Sequence, residues 1–159
     1  MAVAAAWRIG KRQTQILYEQ VEIARKQVDL ARNDLKIQLL EKRAECVRAM
    51  REITQSWFQN MELSDDEWRN FYNLSLDAQL LFPADLVTRL ESAVDSSLLV
   101  KHHTRRSAQY REQGKHDHAT EQLEKCYLEE DKLIDLMPKL LKQLIEYSRV
   151  DAWETTETQ

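Results

Sequence analysis

Four histidines and a cysteine are the residues best equipped for chemistry in this chain: His102, His103, His116 and His118, with Cys126 further along. Imidazole and thiolate bind zinc, but zinc needs about four such groups converging on one point. His102 and His103 are adjacent, and His116 and His118 are two apart. On a helix both pairs diverge. The spacing therefore reads as an exposed histidine-bearing loop, with no metal and no cofactor.

The same stretch carries Lys101, Arg105, Arg106, Arg111 and Lys115, with Tyr110 as a ring on which a base could stack. Gathered on one surface, these cations would contact phosphate. Strung along a hairpin tip, they are a solvated charge run. They are the candidate anion-binding residues of the chain. The net charge of −4 gives no global reason to expect nucleic acid.

For acid–base chemistry the sequence offers Glu129, Glu130, Asp131 and Asp135. Asp131 and Asp135 share a helix face, and Lys132 offsets their charge. No histidine stands at fixed spacing to work with them, and no Glu-x-x-His occurs, so a solvent face is the simpler reading. Two isolated glycines, Gly10 and Gly114, cannot build a loop that cradles phosphate. Cys46 reads as a small apolar core residue rather than an activated thiol. It lies far from Cys126 without a motif, which fits a reducing compartment and no disulfide scaffold. No reacting constellation assembles, so the chain reads as a non-enzyme.

The elements that would position these residues are helices. Only two Gly and two Pro occur in 159 residues, too few for the turns of a sheet protein. Charged residues at 31% and apolar residues at 43% describe an amphipathic chain with a core. Its length fits one domain, or one domain with an extended helix.

The clearest pattern is "QVEIARK QVDLARN DLKIQLL", three consecutive heptads over residues 20–40. At about 100° per residue, Val21, Ala24, Gln27 and Ile23 lie on a face roughly 160° wide. Val28, Ala31, Asp34 and Leu30 repeat that face one heptad later. Ile16 and Leu17 begin it, and Leu35 and Ile37 continue it. Glu22, Arg25, Lys26, Asp29 and Arg32 lie opposite, with Glu22 to Lys26 and Asp29 to Arg32 spaced as ion pairs. The stripe is wider than a two-stranded seam, and its alanines permit close helix approach. Two readings fit: a long helix packed within its own chain, or an arm that self-associates. Gln20, Gln27 and Asp34 either set the register of an assembled arm or mark where the stripe meets water.

No Pro or Gly interrupts residues 11–63, and the apolar pattern continues through Leu39, Leu40, Val47, Met50, Ile53, Trp57, Phe58 and Met61. One helix of that length would reach roughly 80 Å, more than the remaining chain can cover. "LSDDEW" predicts a new helix start, with Ser64 as cap, Glu67 closing a capping box, and Asp65 and Asp66 at the positive helix end. A second helix follows over about 65–81. Half of the twelve aromatics fall between 57 and 82, which predicts the core of a helical hairpin. "LFPADLVTRL" opens a third helix with Leu86, Leu90, Ala93, Val94 and Ser97 on its apolar face. A fourth, from about 118, carries Leu123, Tyr127, Ile134, Met137, Leu141, Leu144 and Ile145, with Pro138 kinking or restarting it.

The N-terminus reads "MAVAAAWRIGKRQ". It is far too short to span a bilayer, which takes about 20 apolar residues. No basic residue precedes its apolar part, as a signal peptide would require. Yet an apolar run, Trp7, then Arg8, Lys11 and Arg12 is the order in which a membrane helix exits on the cytoplasmic side. A frayed, Ala-rich helix start is the alternative. Residues 1–50 carry ten Lys/Arg against six Asp/Glu, whereas residues 64–99 carry two against seven.

"NDLKIQLLEKRAECVRAMREITQSWF", residues 33–58, resembles a segment of a large, mostly uncharacterised family of small bacterial proteins. There a membrane helix leads into a helix reading roughly D-K-L-K-L-D-L-F-D-K-R-Y-x-V-Y-E-A. Leu35, Lys36, Ile37, Leu39, Glu41, Lys42, Arg43 and Ala49 match; Leu40, Ala44 and Val47 stand where the family usually has aromatics. "IARKQVDLAR", "LLFPADLVTRL" and "LIEYSRVDAW" are similar in order and spacing. The resemblance implies a cytoplasmic helical domain tethered to the bacterial inner membrane by an N-terminal helix, of which "AVAAAW" would be a remnant. It supplies no catalytic residues.

The fold expected is all-α: a long N-terminal helix with coiled-coil-like heptads, packed into an antiparallel four-helix bundle. Residues 1–40 form a basic, membrane-proximal oligomerisation arm, 41–152 the bundle and 153–159 a disordered tail. The function expected is a non-enzymatic helical scaffold or interaction module at the cytoplasmic face of the inner membrane. It forms a homo-oligomer through Ile16, Leu17, Val21, Ile23, Ala24, Val28, Leu30, Ala31 and Leu35, and engages a further protein partner. The alternative is a ligand or nucleic-acid sensor using the basic tip at 101–118.

Overall fold

The computed structural model describes residues 2–149, with side chains from residue 12 onward. The expected tail at 153–159 and the last residues of the expected bundle, 150–152, lie outside them. The described residues form four helices: α1 (Ala2–Asn60), α2 (Asp65–Leu81), α3 (Ala84–Glu112) and α4 (His116–Tyr147). The chain divides into two units, residues 1–39 and 40–159.

In the second unit, side-chain contacts fix the directions of the helices. Ser56 on α1 donates to Glu67 on α2, and Arg43 on α1 reaches the carbonyl of Leu81 at 2.8 Å. Asp65 pairs with Lys101 and Gln79 bonds Glu91, so α2 and α3 are also antiparallel. Ser107 Oγ donates to the Ala119 carbonyl at 3.0 Å, and His103 Nδ1 lies 2.9 Å from Gln122 Oε1. These contacts set α4 antiparallel to α3. The unit is an all-α bundle in which the four helices pack against one another.

The turns follow local chemistry. Ser64 caps α2: its backbone N–H donates to Glu67 Oε2 at 2.8 Å, and its hydroxyl accepts from the Glu67 backbone N–H at 3.3 Å. That is the reciprocal capping box read from the sequence. Pro83 precedes α3, where its fixed φ suits a helix entry and its missing N–H costs nothing. α3 continues to Glu112, and the chain reverses at Gly114, whose φ of 72° falls in the left-handed region that glycine enters without strain. Pro138 neither ends nor restarts α4, which is continuous around it.

The core is where α1 contributes Met50, Ile53 and Trp57, α2 contributes Phe71, Leu74 and Ala78, and α3 contributes Leu86, Leu90 and Ala93. The predicted apolar face of α3 is buried at every position named for it. Two expectations are corrected. Phe58 and Met61 continue the apolar pattern of the first helix in the sequence, yet both are exposed. On α4 the buried face is Ala119, Gln122, Cys126, Leu133, Met137, Leu140 and Leu144, while Tyr127 and Ile134 lie in solvent. The apolar residues of α4 span more than one face, and α3 selects among them. Small buried residues line this contact: Ser107 donates to the Ala119 carbonyl, Ser96 bonds Glu129, and Cys126 lies against Thr104 and the Val100 carbonyl.

Candidate functional site

The residues with chemical potential are dispersed. Among the described residues, no group of three or more His, Cys, Asp or Glu is placed to hold a metal ion. His102 and His103 meet edge-on within their own turn, and His103 is turned toward Gln122. His118 lies against the Tyr110 ring. Cys126 is buried, 3.4 Å from the Thr104 hydroxyl and 3.4 Å from Glu130 Oε1. Burial pushes its thiol pKa up. Burial pushes Cys46 up to about 11. Neither cysteine is poised as a thiolate at neutral pH.

The basic tip divides. Lys101 is buried and committed to Asp65, and Arg105 reaches the same carboxylate oxygen at 3.3 Å. Arg106, Arg111 and Lys115 are exposed. An open cleft of about 410 Å³ beside Lys101 and Arg105 is also lined by Glu62, Asp65 and Glu67, so the cations there already face carboxylates. Of the acidic run, Asp131 and Asp135 are exposed, and Asp135 pairs with Lys139 at 2.5 Å. Glu129 is mostly buried and pairs with Lys132 at 2.6 Å. Burial works to raise its carboxyl pKa, but hydrogen bonds from Lys132 and Ser96 hold it below the usual range.

The Lys101–Asp65 contact makes the stability pH-dependent. The hydrogen bond and charge of Lys101 hold the Asp65 carboxyl below its usual range. An acid whose folded pKa is depressed stabilises the fold above its unfolded value, about 3.9, and loses that contribution as pH falls through the folded value. The thermal midpoint of Asp65→Asn is therefore expected to fall less than that of the parent chain between about pH 5 and pH 2. Equal falls would show that the pair contributes nothing.

Residues 12–39 present a different surface. Ile16, Leu17, Val21, Ile23, Val28, Leu30, Leu35 and Ile37 are all exposed, from 47% at Ile16 to 66% at Val28 and Leu35. Ala24, Ala31, Gln20, Gln27 and Asp34 between them are exposed as well. The far side is polar, with Glu22 and Lys26 joined at 2.9 Å. Leaving such side chains in water forgoes roughly 1.5–3 kcal/mol for each one that could be fully buried. Single exposed leucines are ordinary, but a run at heptad spacing is a contiguous patch, the kind that marks an interaction surface. Arg12 is exposed, and the side chains of Trp7, Arg8 and Lys11 lie outside those described. Among the described residues no helix is long and apolar enough to cross a membrane.

Sequence reasoning missed Arg43. It donates at 2.8 Å to the carbonyl of Leu81 and at 2.9 Å to that of Tyr147, and its guanidinium lies 5.4 Å from the centre of the Phe82 ring. Leu81 and Tyr147 are the last residues of α2 and α4, so one side chain caps two helix ends. A signal was present. Arg43, Cys46, Met50, Ile53 and Trp57 are spaced by three and four, and a cation at the head of a buried seam needs acceptors.

No family model, curated protein or solved structure matches this chain.

Proposed function

We propose that the protein is a non-enzymatic helical scaffold that self-associates through its N-terminal heptads and works beside a membrane surface. The observation that carries the proposal is the exposed aliphatic run from Ile16 to Ile37. A helix face that leaves this much hydrocarbon in water lowers its free energy by packing against another surface. A second copy suits it, because heptad spacing keeps two identical helices in phase along their length. Trp7, Arg8, Lys11 and Arg12 would then lie beside anionic headgroups, in the order found where a helix leaves a bilayer. The resemblance to membrane-tethered bacterial proteins points the same way. The reading as a non-enzyme rests on the dispersal of the acids, histidines and cysteines described above.

The test is the mass of the chain by light scattering. The full chain is expected to scatter as a multiple of 18.8 kDa, and the chain lacking residues 1–39 as a folded monomer that no longer sediments with phosphatidylserine vesicles. A monomeric full chain, or a truncated chain that keeps the parental assembly, would refute self-association through the arm. Unchanged sedimentation would refute the membrane-proximal role.

A further inference from the structure

The exposed face of the arm contains two heptad seams rather than one. Leu17, Val21, Ala24, Val28, Ala31 and Leu35 follow one another at alternating spacings of four and three. So do Ile16, Gln20, Ile23, Gln27, Leu30, Asp34 and Ile37. The first series is apolar at every position; the second alternates aliphatic residues with Gln20, Gln27 and Asp34 at the same heptad spacing. The second is displaced by one residue from the first, so the two seams point roughly 100° apart around the helix. Every aliphatic residue in both is exposed.

A dimer would satisfy only one of them. Pairing through Val21, Val28 and Leu35 would leave Ile16, Ile23, Leu30 and Ile37 in water, four of the eight large aliphatic side chains exposed on the arm. The first seam is also thin, since Ala24 and Ala31 occupy its alternate layers. Three heptads with alanine in every other layer make a weak two-stranded coil. A helix that uses both seams touches two neighbours at once. The angle between those neighbours is the corner angle of the assembly: about 60° for three helices in a ring, about 90° for four and about 108° for five. A seam separation of roughly 100° falls between the last two.

We propose that the arm assembles four or five copies of this chain into a closed ring, each copy packing its Leu17–Leu35 seam and its Ile16–Ile37 seam against different neighbours. The occupant of both seams is another copy, because both run with the same heptad period over the same length of helix. A copy that presents one seam to its neighbour has the other free for the next. Gln20, Gln27 and Asp34 then sit at the contact between neighbours, where side chains that hydrogen-bond across the seam fix which layers align. This inference rests on the proposed self-association and goes beyond it in geometry and number.

The full-length chain and three variants separate the outcomes in light scattering and analytical ultracentrifugation. The parent is expected to weigh four or five times 18.8 kDa. Ile23→Glu with Leu30→Glu disrupts the second seam and is expected to reduce the assembly to a species no larger than a dimer. Adding Val21→Glu and Val28→Glu is expected to leave a monomer. Glu22→Gln with Asp29→Asn, on the opposite face, is expected to keep the parental mass. Circular dichroism of the bundle controls for folding, since these positions lie outside its core. A parent that is dimeric or trimeric would overturn the two-seam ring while leaving self-association intact. A monomeric parent would overturn both. A second-seam variant of unchanged mass would overturn the role of that seam.

Discussion

Arg43→Ala is expected to lower the unfolding free energy of the bundle by roughly 3 kcal/mol, read from urea denaturation followed by circular dichroism. Two charge-assisted hydrogen bonds disappear at once, each worth about 1.5–3 kcal/mol. Arg43 is partly exposed, so solvent recovers part of that loss and the estimate is set near the lower end of the sum. The carbonyls of Leu81 and Tyr147 lie at the negative ends of α2 and α4, and the guanidinium offsets both. Arg43→Lys is expected to fall between parent and alanine, because an ammonium is a compact charge and lacks the planar fork that spans two acceptors. A loss below about 1 kcal/mol for the alanine variant would mean that water serves these carbonyls equally well.

Phe71→Ala is expected to cost about 3–5 kcal/mol, and Phe58→Ala less than about 1 kcal/mol. The two residues are the same chemical type, thirteen positions apart, on neighbouring helices. Phe71 is fully buried, whereas Phe58 is 45% exposed. Removing the ring of Phe71 takes away its transfer free energy and leaves a cavity among packed helices. Removing the ring of Phe58 opens nothing, since water already reaches it. Denaturation midpoints with unchanged slopes measure both. Comparable losses in the two variants would place Phe58 in a buried contact, contrary to the fold described above.

Much of the fold is legible in the sequence. The second helix begins and ends where "LSDDEW" and "LFP" say it does, because capping and proline chemistry act within a few residues and need no distant partner. The apolar face of α3 was read correctly because Leu86, Leu90, Ala93, Val94 and Ser97 lie on a single stripe. On α4 the stripe is legible only in part: Met137 and Leu144 are buried, but Tyr127 and Ile134 are not, because its apolar residues occupy more than one stripe and periodicity cannot rank faces that are all apolar. The α3–α4 contact includes Ser96 and Ser107, which look like surface residues in a sequence and become close-packing residues only when a second helix approaches.

The candidate surface divides the same way. Its heptads, its polar back and its two offset seams are consequences of residue type and spacing along one helix, so the sequence by itself determined them. Whether that face was covered depended on contacts between residues far apart in the chain, and only the tertiary structure decided that Ile16 to Ile37 remain in solvent while Met50 to Trp57, on the same helix, are buried. It also took Lys101 out of the basic tip and gave Arg43 two carbonyls, 38 and 104 residues away. Local rules specify a helix and its stripes; burial is a property of pairs, and those pairs form only when the helices meet.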